Sequence, residues 1–587
     1  MPYTHRTAWD IAPYAPVELF RAPEEIPPLV AQVLWARGMT DFESMHRFLA
    51  AEPDMADPLC MQDMPRAIER ILRAVNTGES MAIYGDYDCD GVTACALLHQ
   101  ALEMLGAHAH VYIPNRFDEG YGLHADALDH LRAQGVSLVI TVDCGARAKA
   151  EAARAQEIGL DLIVTDHHEV GDGAMSGAYA VVNPHRADCP YPFKHLAGVG
   201  VAYRLAQGLF CGSPERLQGV RVADALEPLL DLVALGTVAD VVPLVGENRQ
   251  LVRAGLERIN TQPRPGVRFL ALASRVKLGS ITAQTVGFTL APRLNAAGRL
   301  DTARDAYDLL STDDESVASQ IALRLNERNV ERQKITATVA QHAEQVAFID
   351  GDEDVPLLFA SDGDYNAGVI GLAASRLVER FYKPAVVITI GKDGHDNGEA
   401  RGSCRSVEEF NITAALDECH DLLLRYGGHA AAAGFTMQAA RLGDLREKLV
   451  QIARRQQPDG GWTRPLRIDS QVNLHKLSWS TYTQLACLEP HGAANLRPIF
   501  AASGVTIQNI RRVGQPPEQP PHLQLRLKDT RGAVWEAIGW RMGERARELS
   551  AGAKIDVAFQ LDCNEWNGER KLQLIVQDFR PAEDRPV

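Results

Sequence analysis

The sequence predicts a two-lobed α/β protein whose first domain is a parallel sheet and whose C-terminal end is a small β-barrel. Three observations predict it. In the first half, short apolar runs that read as buried strands end in polar clusters, and stretches of about 10–15 residues with helical periodicity follow them, the alternation of a doubly wound parallel sheet. From Asp314 to about Val346, the residues Val317, Ile321, Leu325, Ile335, Val339 and Val346 stand among many charges without Pro or Gly, which suits a spacer helix between lobes. Beyond residue 463 the pattern changes to short alternating strands. At 587 residues the chain exceeds one hydrophobic core.

Taken in order, residues 1–75 read as a helical lead-in that buttresses the first core, and residues 76–310 as a metal-binding domain. Ala82-Ile-Tyr84 is a short strand ending in a glycine turn. Asp86, Asp88 and Asp90 then occupy every second position, and an extended backbone would aim all three carboxylates to one side. After Gly91, the residues Val92, Cys95, Leu98, Leu102 and Leu105 form one face of a helix. The run Leu138-Val-Ile-Thr-Val142 delivers Asp143, and Leu162-Ile-Val164 delivers Asp166, His167 and His168. In such sheets the crevice lies outside the carboxyl ends of the strands. Asp90, Asp143 (53 residues on), His167 (24 further) and Asp240 (73 further) can therefore converge there.

Asp240 and Asp231 share the nearly all-apolar segment 229–243. A buried carboxylate is costly without a positive partner, and metal is the economical one. Oxygen-rich ligation with one or two imidazoles favours Mn²⁺ or Mg²⁺ over structural zinc, and the chain has no Cys-x-x-Cys pair. Arg299 is a basic candidate for phosphate, because a guanidinium fork grips two oxygens. Its alternative is an ion pair to Asp301 or Asp305.

Residues 311–350 form the connecting helix, and 351–460 a smaller α/β lobe. There a strand at Val355-Pro-Leu-Leu-Phe359, a helix from Gly368 to Phe381, strands at 385–390 and 400–406, and a helix from Ile412 to Leu424 ending at Gly427-Gly428 are expected. Gly-Gly alone reads as a helix cap. His429 followed by Ala430-Ala-Ala-Ala-Gly434 favours a place where backbone and a cationic donor approach a phosphate. Residues 463–587 carry strands at 504–510, 523–527, 534–538, 555–561 and 572–576, with a hairpin turn at Trp566-Asn-Gly568. Five such strands suggest an oligonucleotide-binding (OB) barrel. Trp535, Trp540, Trp566, Arg511, Arg512 and Arg526 are available for single-strand contacts, some of them as core instead.

The net charge of −16 argues against non-specific coating of DNA by the whole surface, so any DNA path is locally basic. No apolar stretch reaches membrane-spanning length, and the first ten residues lack the pattern of a leader. A cytoplasmic monomer without membrane contact is expected. Ten irregularly spaced cysteines read as reduced thiols, with Cys89 and Cys144 as small fillers beside the aspartates.

The motifs Gly85-Asp-Tyr-Asp-Cys-Asp-Gly91, Val142-Asp-Cys-Gly145, Asp166-His-His168 and Leu235-Gly-Thr-Val-Ala-Asp-Val-Val-Pro-Leu244 resemble those of the DHH phosphoesterases. Supporting stretches are 114–122, 196–202, 292–299 and Gly427-Gly-His429, and the likeness runs from about 81 to 434, more weakly to the end. Within that superfamily the chain is similar to the bacterial single-strand-specific 5′→3′ DNA exonucleases. The resemblance implies release of 5′-mononucleotides by two-metal-ion phosphodiester hydrolysis, in DNA repair and recombination. Single-stranded DNA is the implied partner, with a helicase and a single-strand-binding protein upstream.

Two ions about 3.5–4 Å apart would share Asp143 as a bridge. Asp90, His167 and Asp240 are assigned to one ion, Asp88 with Asp86 to the other, and His168 to the phosphate or the leaving group. Gly427, Gly428 and His429 match the substrate motif of the DHH-associated domain, with Ser403 and Arg405 holding a phosphate further along. One departure stands out: many members carry histidine where this chain has Tyr84, which implies a more loosely held second ion. Two alternatives compete. A small-phosphoester or oligonucleotide phosphodiesterase would not need the spacer helix or barrel, and a non-catalytic DNA-binding replication scaffold would not need the full set of aspartates and histidines.

Overall fold

The structure is a computed structural model that describes residues 7–16, 26–50, 55–115, 119–120, 122–171, 175–300, 302–348, 354–391, 398–514, 521–566 and 568–582. The expectations that rest on Asp301, Asn567 and the centre of the 114–122 motif lie outside these residues. Two compact units form: one from residues 50–332 with 489–496, the other from 1–49, 333–488 and 497–587.

The chain opens with strand β1 (Thr7–Ile11), which pairs in parallel with residues 464–468. Val30, Val33, Leu34 and Met45 join the same buried cluster as Phe500, Val557 and Phe559 of the C-terminal barrel. The lead-in is thus not purely helical, and its first 49 residues belong with the C-terminal unit instead of the first core. Their apolar side chains share one buried cluster with those of the barrel, a long-range choice that local periodicity does not encode. The helix Met64–Thr77 does pack into the first core, through Ala67, Ile71 and Ala74.

The sheet of the first unit contains β2 (Met81–Gly85), β3 (Ala109–Tyr112), β4 (Leu138–Val142), β5 (Asp161–Thr165) and β6 (Ala180–Val182). They run parallel in the order β3-β2-β4-β5-β6. Because helices cover both faces, β2 and β4 are buried along their whole length, and their sequences read as continuous apolar runs. Ile83, Ile140 and Ile163 face one core, while Tyr84, Val139, Leu162 and Val164 face the other. On the first face lie α1 (Cys89–Met104), α2 (Gly198–Gly212), α3 (Leu230–Ala239) and α4 (Ala291–Leu300).

Of the two aspartates in 229–243, only one is explained by metal. Asp231 is met by Arg264, whose Nε and Nη2 each donate to a carboxylate oxygen at 2.7 Å. Asp231→Ala strands that guanidinium and is expected to lower the unfolding free energy by about 3–5 kcal/mol. A urea midpoint matching wild type in the metal-free protein would contradict this.

The spacer is α5 (Glu315–Ala347), 33 residues long. Its first half gives Ala318, Ile321 and Leu325 to the first core, and its second half gives Val339 and Ala343 to another. The second lobe holds β7 (Leu358–Asp362), α6 (Ile370–Phe381), β8 (Ala385–Ile390), β9 (Glu399–Arg405), α7 (Ile412–Asp417), β10 (Leu423–His429) and β11 (Ala432–Gln438). Its sheet order is β10-β11-β9-β8-β7. The expected helix Ile412–Leu424 stops at Asp417, and Gly427-Gly428 do not cap it but lie in β10. The Asn411 side chain caps α7 by accepting from Ala414 N–H, while Leu423, Tyr426 and the glycines are claimed by pairing to β11.

After β12 (Arg464–Ile468), the partner of β1, and β13 (Ser470–Gln471) come β14 (Phe500–Val513), β15 (His522–Lys528), β16 (Val534–Gly539), β17 (Lys554–Trp566) and β18 (Glu569–Pro581). The order β14-β15-β16-β18-β17, with β17 returning to β14, closes an OB barrel. Trp535 packs toward its core, whereas Trp540 is exposed with its ring edge-on to His522. Arg512 is paired with Glu544, and Arg526 lies 3.6 Å from Glu536.

Candidate metal centre

At the end of β2 the chain turns into α1 earlier than the extended alternation suggests. The helix begins at Cys89, so Asp88 is its N-cap and Asp90 sits in its first turn. Asp88 Oδ1 accepts from the N–H groups of Asp90 at 2.9 Å and Gly91 at 3.1 Å, which leaves the second oxygen for the centre. The three carboxylates converge through helix geometry instead of strand alternation.

Asp90 also caps a second helix. Its carboxylate accepts from Gly198 N–H at 2.6 Å and Val199 N–H at 2.9 Å, the first turn of α2, whose own N-cap position is Ala197. Gly198 is obligatory because a Cβ there would fall 2.5 Å from Asp143 Cβ. The stretch 196–202 therefore exists to bring a helix N-terminus, the positive end of its dipole, against two carboxylates. A helix opened by apolar residues with no polar cap was the sequence signal that its cap lies elsewhere.

Asp143 follows β4 in the left-handed region, at φ 60°. Asp240 is the C-cap of α3. His167 Nε2 lies 3.1 Å from Asp143 Oδ1, 3.5 Å from Asp240 Oδ2 and 3.8 Å from Asp90 Oδ2. Two ligand groups result, Asp90–His167–Asp240 and Asp86–Asp88–Asp143, each with donor atoms within 4.8 Å of one another. Asp143 and His167 also fall in a third such group with Asp166 and His168.

Buried Asp143 Oδ1 and His167 Nε2 make no hydrogen bond, although they face each other. Such atoms are accounted for by a cation between them. The donor set, all carboxylate oxygen but for imidazole, fits hard divalent ions such as Mn²⁺ or Mg²⁺. Cys89 and Cys144 are buried, burial pushes both thiols well up, and neither falls in a ligand group among the described residues. Tyr84 donates its hydroxyl to Gly122 O at 3.0 Å and stacks on Tyr112, so it takes part in another contact.

The two adjacent histidines are driven apart in charge. Burial, reinforced by the His168 charge, lowers His167 to about 4, which keeps it the neutral imidazole a metal requires. Burial works against the cationic form of His168 too, but its hydrogen bond to Asp166 and the charges of Asp166, Asp240 and Asp90 raise it to about 9. Asp166 is the orienting residue that motif reading left out of the ligand set. Its Oδ1 accepts from His167 N–H at 2.7 Å and His168 N–H at 3.1 Å and lies 2.8 Å from His168 Nδ1, while Oδ2 accepts from Ala146 N–H at 2.7 Å. Asn295 was missed as well: its Oδ1 accepts from Cys89 N–H at 2.7 Å and ties α4 to the aspartate turn. Arg299 lies in the last turn of the same helix, and an added Cβ at its neighbour Gly298 would lie 2.7 Å from Tyr87 O.

Burial and mutual repulsion raise Asp90 to about 7 and Asp240 to about 9, and hold Asp143 well above the carboxylate range. A group raised in the folded state stabilises below its unfolded pKa and loses that contribution as pH rises through the folded value. Asp90, Asp240 and His168 all act in this direction. His167, lowered, has its contribution fully in place above about 6.5. The metal-free protein is therefore expected to lose thermal stability as pH rises from about 4 to 9, His167 offsetting part of the loss below about 6.5, and Mn²⁺ to restore more of it at the alkaline end. Scanning calorimetry with and without Mn²⁺ checks this, and a Tm gain independent of pH would contradict it.

In the second lobe, register aligns Gly427 with Gly434 and Ser403, and His429 with Ala432 and Arg405. Paired residues share a face, so Gly427, His429, Ser403 and Arg405 line one end of one face. Arg405 Nη1 donates to Ser403 Oγ at 3.2 Å, and a Cβ at Gly371, in the first turn of α6, would lie 2.9 Å from that oxygen. Gly427 to His429 are exposed. Gly428 adopts φ 148°, where a Cβ would strike Ala432 O at 2.3 Å.

Family models match three stretches of the chain: the DHH family, N-terminal domain, at residues 80–237, the DHHA1 domain at 354–455, and the RecJ OB domain at 468–578. The single-stranded-DNA-specific exonuclease RecJ of Bacillus subtilis is 37% identical over 95% of this chain and 68% of its own length. The protein of the same name from Dickeya dadantii is 33% identical over 97% and 98%. The crystal structure of RecJ in complex with Mn²⁺ from Thermus thermophilus has a TM-score of 0.82 at 31% identity, covering 98% of this chain and 80% of that one. The Mg²⁺ complex of that RecJ has a TM-score of 0.77 at 30% identity, covering 98% and 79%. With three matching domain types in order and relatives 33% and 37% identical over 97% and 95% of this chain, the chain belongs to the RecJ family.

Proposed function

We propose that the protein is a single-stranded-DNA-specific 5′→3′ exonuclease that releases 5′-mononucleotides in DNA repair and recombination. The observation that carries the reading is the pair of ligand groups, Asp90–His167–Asp240 and Asp86–Asp88–Asp143, in a chain whose relatives bear that activity in their names. Divalent ions, when bound, supply the acidity that activates water and the charge that offsets the phosphate. Asp143 belongs to the second group and, with Oδ1 3.1 Å from His167 Nε2, would serve the first as well. Asp166 holds His168 as a cation, and His168 delivers a proton to the departing 3′-oxygen as the P–O bond breaks.

Arg299 grips a phosphate oxygen at the first unit. Gly427, Gly428 and His429 receive the strand at the second, where the open space about Gly427 admits a backbone phosphate and Ser403 and Arg405 hold the next. We divide the chain accordingly at 76–310, 311–350, 351–460 and 463–587. The enzyme acts as a cytoplasmic monomer on strand unwound by a helicase and kept open by a single-strand-binding protein. No helix of the described residues is long and apolar enough to cross a membrane. Digestion of 5′- versus 3′-labelled single-stranded DNA in Mn²⁺ tests the reading. Early release of the 5′ label as mononucleotide is expected, and early release of the 3′ label or digestion in EDTA would overturn it.

A further inference from the structure

We propose that Val241 and Phe288 form an apolar ledge at the rim of the metal centre that packs against a nucleobase of the bound strand. The inference rests on the nuclease reading and deepens it.

Val241 directly follows Asp240 and takes the left-handed conformation, φ 61°, at the end of α3. That position normally falls to Gly or Asn, and a β-branched side chain there is an outlier. The helix Met64–Thr77 ends in the same conformation with Gly78. Tyr382 also adopts it, at φ 48°, but it is buried in the core of the second lobe, where packing offsets the strain. Val241 is 69% exposed, so neither backbone preference nor burial accounts for a valine. Strain held without a packing return points to a contact made with something that binds.

A second, independent feature stands beside it. Residues Val286–Leu290 form a π-helix, a rare insertion that recurs at functional sites. An added Cβ at Gly287 would lie 3.5 Å from Val238 Cγ1, so this turn packs on the end of α3 that leads to Asp240. Phe288, next in the chain, is 80% exposed, the largest value among the big apolar side chains described. The segment continues into α4, whose Asn295 and Gly298 meet the turn carrying Asp86, Asp88 and Asp90. The turn that presents the exposed ring thus packs on the end of α3, beside the strained valine that follows Asp240. Nucleobases offer every sequence the same flat apolar face, so such a ledge would grip single strands without reading them.

The test uses the full chain and two 5′-phosphorylated oligothymidylates, one intact and one with abasic tetrahydrofuran units at its first positions. Val241→Gly and Phe288→Ala are expected to lower kcat/KM on the intact strand about tenfold and to leave the abasic strand unaffected. Their Tm and Mn²⁺ isotherms should match wild type, Val241→Gly melting no lower because it relieves the strain. Anisotropy of the same oligonucleotides in an Asp143→Asn background should show the same loss of base preference. Variants that keep the wild-type preference for bases overturn the ledge and leave the nuclease reading intact. If wild type binds but never cuts, the nuclease reading fails and the anisotropy decides the ledge alone. If it binds neither strand, both fail.

Discussion

Asp143→Asn is expected to reduce exonuclease turnover by about 10³–10⁴-fold, because it neutralises a carboxylate that belongs to one ligand group and lies 3.1 Å from the imidazole of the other. Charge stabilisation by metals at a transferring phosphoryl group is worth several kcal/mol, and each ~1.36 kcal/mol is a factor of ten. Asparagine is the informative substitution because Asp143 lies in the left-handed region, which Asn tolerates as well as Asp. Asp143→Ala should be equally inactive and also carry backbone strain of about 1 kcal/mol. The metal-free Asn variant should melt no lower than wild type, since burial and the charges of Asp90, Asp88 and Asp240 already disfavour an anion there. Calorimetric titration should show weakened Mn²⁺ binding. A variant that digests labelled strand at the wild-type rate would remove Asp143 from the mechanism and with it the bridging assignment.

The second large effect is expected at His168. His168→Gln should lower kcat by about 10²–10³-fold, the usual result of removing one charge-stabilising donor from a site, while Mn²⁺ affinity changes little. The reason is the contrast between neighbours: His167 is lowered to about 4, which suits the proposed metal ligand, whereas His168 is raised to about 9, which suits the proposed proton carrier. Asp166→Asn should cost about 10–100-fold in rate, the range seen when an orienting partner is lost, and should shift the alkaline limb of the pH–rate profile toward neutral. Removing the carboxylate takes away the main influences that raise His168. Equal loss of Mn²⁺ affinity in His168→Gln and His167→Gln would show that both rings are ligands.

Much of the site was legible in the chain itself, since Asp86, Asp143 and His167 each fall just past a strand that burial forces to be apolar. Parallel strands between covering helices leave polar groups only at their ends, so sequence position and crevice position coincide. The less legible features depend on contacts between distant segments. Asp90 is bound to the amides of Gly198 and Val199, and Cys89 N–H to Asn295, pairings with no local pattern. The segment around Gly427 was misjudged because a small-residue run can end a helix or enter a strand, and only pairing with β11 decides. Asp231 and Asp240 looked equivalent in one apolar stretch, yet Arg264 reaches only the first.

Composition and periodicity alone determined the alternating architecture, the spacer helix, the barrel and the ligand types at strand ends, because each is written in the spacing of apolar residues along one segment. Tertiary structure decided which carboxylates share a site, which histidine stays neutral and where the first 49 residues pack. These are outcomes of burial and electric field, and both depend on every group that folding brings near, whatever its distance along the chain.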